Sequence, residues 1–374
     1  MPPVCLKQTR GYIYGHFTMI GLHGLVVNAR GAFPDSDEIT ALSPSVLRTI
    51  VYTNDELDDA LQNVPHGVRI IALLNGEHEE IGHDFAGWPG AIQRFGERFS
   101  GRVWGAELLN EWDLLGIPAN QAAALIKAAS SALVGAGIKR IAGSVAGPDW
   151  QSVLVELGNF ISTDDFDYGA FHPYGQLVSA MGAPQPGFGP GLAASIQRAA
   201  SLIRAPIIVT EFGAKISDYG GELRQAEYVH ESFAELATLP ESVCPAACYF
   251  AWHDAIGAPS EQGADSFGLR RLDGSQRPAW FSYQRVAGGA TDAPTPPVYD
   301  YVLGFKDIHD RHPVLVGSPS ENEFGPAIGM SLQRSANGVL YWADLKGGQV
   351  MGFLDDTDGR RYVWNGTTLV EVAA

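Results

Sequence analysis

Eight short runs of β-branched and apolar residues, each followed by a longer stretch of amphipathic or helix-forming sequence, are the strongest constraint on this chain. They lie at Phe17–Val26, Val46–Tyr52, Val68–Leu74, Val103–Leu109, Arg140–Val145, Phe166–Phe171, Pro206–Thr210 and Ala247–Trp252. Their starts recur at roughly 30–35 residues, about the length of one βαβ unit. Helical patterns fill the gaps, among them Asn120–Lys127 with Asn120 as its cap, Leu192–Ile203 and Leu223–Leu236. About eight parallel strands in roughly 285 residues predict an α/β fold, a TIM (β/α)8 barrel. An open doubly wound sheet would carry a Gly-rich phosphate turn after an early strand, and no G-x-G-x-x-G stands there.

The pattern stops at a Gly/Pro-rich stretch. Residues 1–288 are therefore read as the barrel, 289–298 as an extended linker, and 299–374 as a small β-rich module. In the last segment short runs at 338–342, 349–354 and 361–364 alternate with turns, and Asn337-Gly338 and Asn365-Gly366 are hairpin signals. Lys7 and Arg10 precede a mostly apolar stretch from Tyr12 to Val27. Gly15, Gly21 and Gly24 interrupt it and it contains His16 and His23, so it reads as a first core strand with its lead-in. The balance of 25 Lys+Arg against 42 Asp+Glu, net charge -17, repels phosphate backbones and anionic lipid. Nucleic acid and membrane surfaces are thereby disfavoured as partners. Cys5, Cys244 and Cys248 make no disulfide framework and no zinc-binding spacing; they read as buried thiols.

In a TIM barrel the chemistry sits where the strands end. Strand four runs out as Glu107-Leu108-Leu109-Asn110-Glu111-Trp112, and strand seven as Val209-Thr210-Glu211-Phe212-Gly213. Two carboxylates facing one another across a barrel mouth suit glycoside hydrolysis. One gives a proton to the leaving oxygen and the other attacks the anomeric carbon. Burial and mutual repulsion are expected to raise one pKa while hydrogen bonds hold the other down.

Glu107-x-x-Asn110-Glu111 together with Thr210-Glu211-Phe212-Gly213 resembles clan A of the glycoside hydrolases, and is most similar to the retaining (β/α)8 enzymes of families 5 and 39. The resemblance spans roughly residues 17–285. It implies Glu111 as acid/base, Glu211 as nucleophile and Asn110 as a contact to the sugar 2-hydroxyl. It further implies Tyr174, in Phe171-His172-Pro173-Tyr174, as a hydrogen-bond donor to the nucleophile. His172 would line the same site, Trp252 would form an aromatic floor under the sugar, and Arg48 would steady the nucleophile. The expected partner is a β-linked glycan, with no metal and no organic cofactor. Such a substrate favours a secreted or cell-envelope location, although the chain shows no convincing signal peptide. Two departures stand out: strand three ends Leu73-Leu74-Asn75-Gly76-Glu77-His78, a loose match, and Trp112 replaces the Pro common after the acid/base.

Other features receive plainer readings. Glu107 is expected to point inward and pair with a base such as Arg48. His78, Glu79, Glu80, His83 and Asp84 lack an H-E-x-x-H pattern and read as a cleft loop or ordinary polar loop. Asp164, Asp165 and Asp167 read as a solvated turn. The C-terminal module weakly resembles LGFP-type repeats of bacterial envelope proteins, which implies attachment to cell-wall polymer. Tyr341, Trp342, Tyr362 and Trp364 there read as core or as a sugar platform. Two rival functions stay open: a non-catalytic carbohydrate- or cell-wall-binding protein on a decayed barrel, and a different barrel enzyme such as an aldolase or metal-dependent hydrolase. The absence of a strand-end Lys and of a His-rich set speaks against the latter.

Overall fold

A computed structural model describes residues 23–175, 191–216, 221–256 and 266–288, and C-terminally 305, 308–309, 311–312, 330–335, 338–345, 348–355, 360–365 and 368–372. The start of the first expected strand (17–22) and the expected linker (289–298) lie outside them, as do Asn337 and Gly366 of the two hairpin turns. The chain divides into two compact units, Met1–Asp292 and Ala293–Ala374.

The first unit alternates strand and helix without exception among the described residues. The strands are β1 (His23–Asn28), β2 (Val46–Ile50), β3 (Arg69–Leu74), β4 (Gly105–Leu108), β5 (Lys139–Ala142), β6 (Gly169–Phe171), β7 (Ile207–Phe212) and β8 (Ala246–Tyr249). Each is followed by one helix: α1 (Ser36–Leu42), α2 (Asn54–Leu61), α3 (Trp88–Phe99), α4 (Ala119–Ala132), α5 (Trp150–Leu157), α6 (Leu192–Ile203), α7 (Glu222–Leu236) and α8 (Pro278–Ala287). The strands are all parallel, in the order β5-β4-β3-β2-β1-β8-β7-β6. The two ends of that order meet through the parallel bridges Ile141↔Tyr168 and Val145↔Phe171. There Ala142 N donates to Tyr168 O at 2.8 Å and His172 N to Val145 O at 3.0 Å. The sheet thus closes as a (β/α)8 barrel and leaves no free edge.

Local sequence explains the elements. Asp35 and Glu38 form a reciprocal capping box that opens α1, and the Thr53 hydroxyl oxygen accepts from Glu56 N at the start of α2. On α3, Trp88, Ile92, Phe95 and Phe99 recur at helical spacing and are all buried. The α4 cap differs from expectation. The cap lies two residues earlier, at Pro118, and Asn120 Oδ1 accepts from Gln121 N inside the first turn. Pro118 holds the extended backbone that a cap position requires, which leaves no role for an Asn cap.

Strand ends also differ. The fourth strand stops at Leu108 because Leu109 turns to a φ of 86°. The seventh runs on to Phe212, and its pairing with β8 slips between Val209 and Phe212. The eighth ends at Tyr249 rather than Trp252.

The second unit carries an antiparallel sheet of five strands paired in sequence order: β9 (Met330–Ser335), β10 (Gly338–Leu345), β11 (Gly348–Asp355), β12 (Arg361–Trp364) and β13 (Leu369–Val372). β9 and β13 were not anticipated from the sequence. Among the described residues Phe305, Ile308, Leu340 and Phe353 form a buried core, with Tyr362 and Trp364 packed against them. Tyr341 Oη donates to Tyr362 O at 3.1 Å. Tyr362 and Trp364 thus serve the small core; the Trp342 side chain lies outside the described set.

Candidate active site

Inside the barrel lies a fully buried ion pair. Arg48, midway along β2, is fully buried, and so is Glu107 on β4. Arg48 Nε donates to Glu107 Oε2 at 2.8 Å, one η-nitrogen pairs with Glu211 Oε1, and the other donates to Asn110 Oδ1 at 2.8 Å. One guanidinium fork therefore ties together the ends of β2, β4 and β7. Burial disfavours a charged Glu107, but the facing guanidinium and the nearby imidazole of His172 outweigh it and hold its carboxyl down to about 2.

Consecutive residues on a regular strand point to opposite faces. Thr210 and Glu211 nonetheless both reach the site: the Thr210 hydroxyl donates to Glu107 Oε1 at 2.9 Å, and Glu211 meets Arg48. The slip in β7–β8 pairing beside them permits this. Gly213 is obligatory just beyond, since a Cβ there would stand 2.3 Å from Phe250 O.

After β4 the chain makes a tight turn in which Leu109 (φ 86°) and Glu111 (φ 44°) both take left-handed backbone. Such conformations persist only where surrounding contacts fix them. Glu111 N donates to Ser144 Oγ at 3.0 Å, and Glu111 O accepts from Leu114 N at 2.9 Å. Trp112 is buried, with Nε1 donating to Gly143 O at 3.3 Å. The bulky Trp112 thus anchors the turn from below.

His172, one residue past β6, is fully buried between the carboxylates. Its Nδ1 stands 2.8 Å from Glu111 Oε1 and 3.8 Å from Glu211 Oε2, and its Nε2 stands 2.9 Å from Thr210 Oγ1. Burial alone would lower its pKa. The carboxylates of Glu211, Glu107 and Glu111 prevail and push it up to about 10. Glu111 is correspondingly held below the ordinary carboxylate range: burial pulls upward, but the imidazolium and Arg48 outweigh it. The expected proton carrier Glu111 is therefore lowered and not raised, because the imidazole of His172 beside it takes up the positive charge. Tyr174 Oη donates to Glu211 Oε2 at 2.8 Å, and burial together with both carboxylates keeps the phenol protonated.

The structure brings Arg48, Asn110, Glu111, His172, Tyr174 and Glu211 into one cluster at the C-terminal mouth. Trp252 is buried and packs on His253 and near Arg270. Its indole Nε1 has no hydrogen-bond partner among the described residues. The strand-eight aromatic that faces Tyr174 is Phe250, with ring centroids 6.4 Å apart, joined by Phe267 at 5.7 Å. Thr210, Ser144, Phe250 and Phe267 escaped the sequence reading as site residues. Thr210 at least stands inside the strand-seven motif.

A nitrogen of His172 and one oxygen each of Glu111 and Glu211 lie within 4.8 Å of one another, a spacing a cation would accept. A cation there would have to displace the proton that the surrounding carboxylates favour on His172 and compete with the Arg48 guanidinium for Glu211. The cluster after β3 is likewise self-contained. His78 is buried, with Nε2 3.3 Å from Asn54 Oδ1 and Nδ1 accepting from Glu80 N, and burial lowers its pKa. Asp167 pairs with Arg140, and Asp165 accepts from Ser162 N.

No protein-family model and no curated protein matches the chain. Solved structures do. A monomeric β-xylosidase from Caulobacter crescentus CB15 aligns at TM-score 0.52 and 15% identity, covering 87% of this chain and 73% of that one. A family 39 glycoside hydrolase from Bacteroides cellulosilyticus WH2 aligns at TM-score 0.55 and 14% identity, covering 94% and 78%. A GH5_18 enzyme from Streptomyces cattleya in complex with GlcNAc aligns at TM-score 0.54 and 15% identity, covering 74% and 83%. The chain thus has the barrel fold of clan A glycosidases.

Proposed function

We propose that this protein is a glycoside hydrolase that cleaves β-glycosidic bonds in an oligosaccharide or polysaccharide with retention of configuration. The carrying observation is the convergence of Glu111 and Glu211 oxygens within 4.8 Å, from strands four and seven, on one buried hydrogen-bonded cluster. Retaining enzymes keep their two carboxyl groups about 5–5.5 Å apart, which leaves no room for an intervening water. Glu211, oriented by Arg48 and Tyr174, attacks the anomeric carbon as the bond to the leaving oxygen breaks, and Glu111 relays to that oxygen a proton drawn from His172 Nδ1, 2.8 Å away. Glu111 then removes a proton from water, whose oxygen displaces Glu211 from the same carbon. Asn110, held by Arg48, faces the sugar, and Phe250, Phe267 and Trp252 supply apolar surface near it. The GlcNAc-bound GH5_18 neighbour adds support for a glycan substrate.

The test is a panel of activated aryl β-glycosides and natural β-glycans. Glu211→Gln is expected to abolish turnover. Glu111→Ala is expected to keep activity on dinitrophenyl leaving groups and, with azide, to give a β-glycosyl azide. Saturable glycan binding without turnover by the parent protein would instead establish a non-catalytic binding protein, and an α-glycosyl product would overturn retention.

A further inference from the structure

The Glu107–Thr210–His172 chain lies behind the two carboxylates, and its Glu107 and Thr210 members take no part in the bond changes just described. It does dictate where protons sit. Glu107 is fully buried and ionised against Arg48, so both its oxygens can only accept. Thr210 must therefore spend its single hydroxyl proton on Glu107 Oε1, at 2.9 Å. What remains toward His172 Nε2, also at 2.9 Å, is a lone pair, so Nε2 must carry a proton. Nδ1 is then the imidazole's only exchangeable position, and it lies 2.8 Å from Glu111 Oε1.

We propose that Glu107 and Thr210 are positioning residues that fix His172 as an Nε2–H imidazole and dedicate its Nδ1 to controlling the protonation of Glu111. The inference rests on Glu111 being the acid/base. The groups facing His172 are Glu107 and Glu111 from β4 and the turn after it, Thr210 and Glu211 from β7, and Tyr174 from the segment after β6. The carboxylates among them favour the imidazolium, in accord with its raised pKa.

The chain makes a directional prediction. In Glu107→Gln, Arg48 Nε still demands an acceptor, so the amide carbonyl turns to Arg48 and the amide NH2 to Thr210. The Thr210 hydroxyl then rotates to donate to Nε2, and His172 becomes a neutral Nδ1–H imidazole. The readout is ¹⁵N NMR of histidine-labelled full-length protein, with His172 assigned among the ten histidines by its own substitution. Parent protein is expected to show both His172 nitrogens protonated at neutral pH. Glu107→Gln is expected to show Nδ1 protonated and Nε2 bare. The basic limb of kcat/KM should move to lower pH by about one unit or more, since the proton held between Glu111 and His172 loses the nearby Glu107 charge that favours it. Thr210→Val should move the Nε2–H proton resonance upfield, and Thr210→Ser should restore it. That pair carries the test if the Gln variant does not fold. A bare Nε2 in the parent, or a tautomer unchanged in Glu107→Gln and a resonance unmoved in Thr210→Val, would overturn the proposal. Because the NMR readout needs no substrate, a parent without turnover would count against the proposed function alone.

Discussion

Arg48 concentrates more consequence than any other single side chain. It is fully buried and contacts Glu107, Glu211 and Asn110 at once. Arg48→Met should cost about 3–5 kcal/mol, because Glu107 would be left buried and unpaired. A urea melt measures this, and a loss below about 1 kcal/mol would count against the pairing. Two pH dependences follow from the same cluster. His172 titrates near 10 when folded against an ordinary 6.5, so its stabilisation is complete below 6.5 and disappears as pH rises toward 10. Glu107 titrates near 2 against 4.5, so its contribution holds above 4.5 and is lost as pH falls toward 2. Melting temperature recorded from pH 3 to 10 should fall at both ends, and His172→Asn should flatten the alkaline fall. The two catalytic candidates were legible as residues because a Glu at the mouth of an apolar strand stands out in sequence. The Thr210–Glu107 contact was not, since it joins positions 103 apart through barrel closure and a slipped strand register.

At the scale of elements, the turns after β4 and β7 are set by glycines that pack against backbone. A Cβ on Gly143 would stand 2.6 Å from Leu108 O and 3.0 Å from Trp112. Gly143→Ala should therefore displace the turn that presents Glu111. We expect a loss of about 1–3 kcal/mol and a larger fall in kcat than in stability-matched controls, read by melting and steady-state kinetics. The period of the barrel was visible in the sequence because each βα unit carries its own amphipathic pattern. Exact strand ends were not. Leu109 has the composition of a strand residue, yet its φ of 86° ends β4, and nothing local announces that. The cap of α4 was misplaced for a related reason: Asn120 is a good cap by type, but Pro118 had already set the backbone.

On the scale of the whole molecule, two units with separate hydrophobic cores should not melt together. The barrel has its own extensive core, and the second unit has a separate one that includes, among the described residues, Phe305, Ile308, Leu340 and Phe353. The second unit, Ala293–Ala374, is much the shorter of the two, and a shorter chain buries a smaller fraction of its surface and is the less stable. Calorimetry of the full chain should show two transitions, the lower one from the C-terminal unit, and a single sharp transition would contradict this. The last consequence concerns how the barrel is closed. Seven of its strand interfaces are ladders of at least three residue pairs, while β5 and β6 meet through two isolated bridges. His172 sits at the end of that seam, its own amide donating across it to Val145 O. The seam has the least continuous pairing of the eight interfaces, so its amides should be the first barrel-strand amides to take up deuterium. A ligand that bridges the ends of β4 and β6 would act as a clasp across it and slow that uptake, reporting occupancy of the mouth without any chemistry taking place.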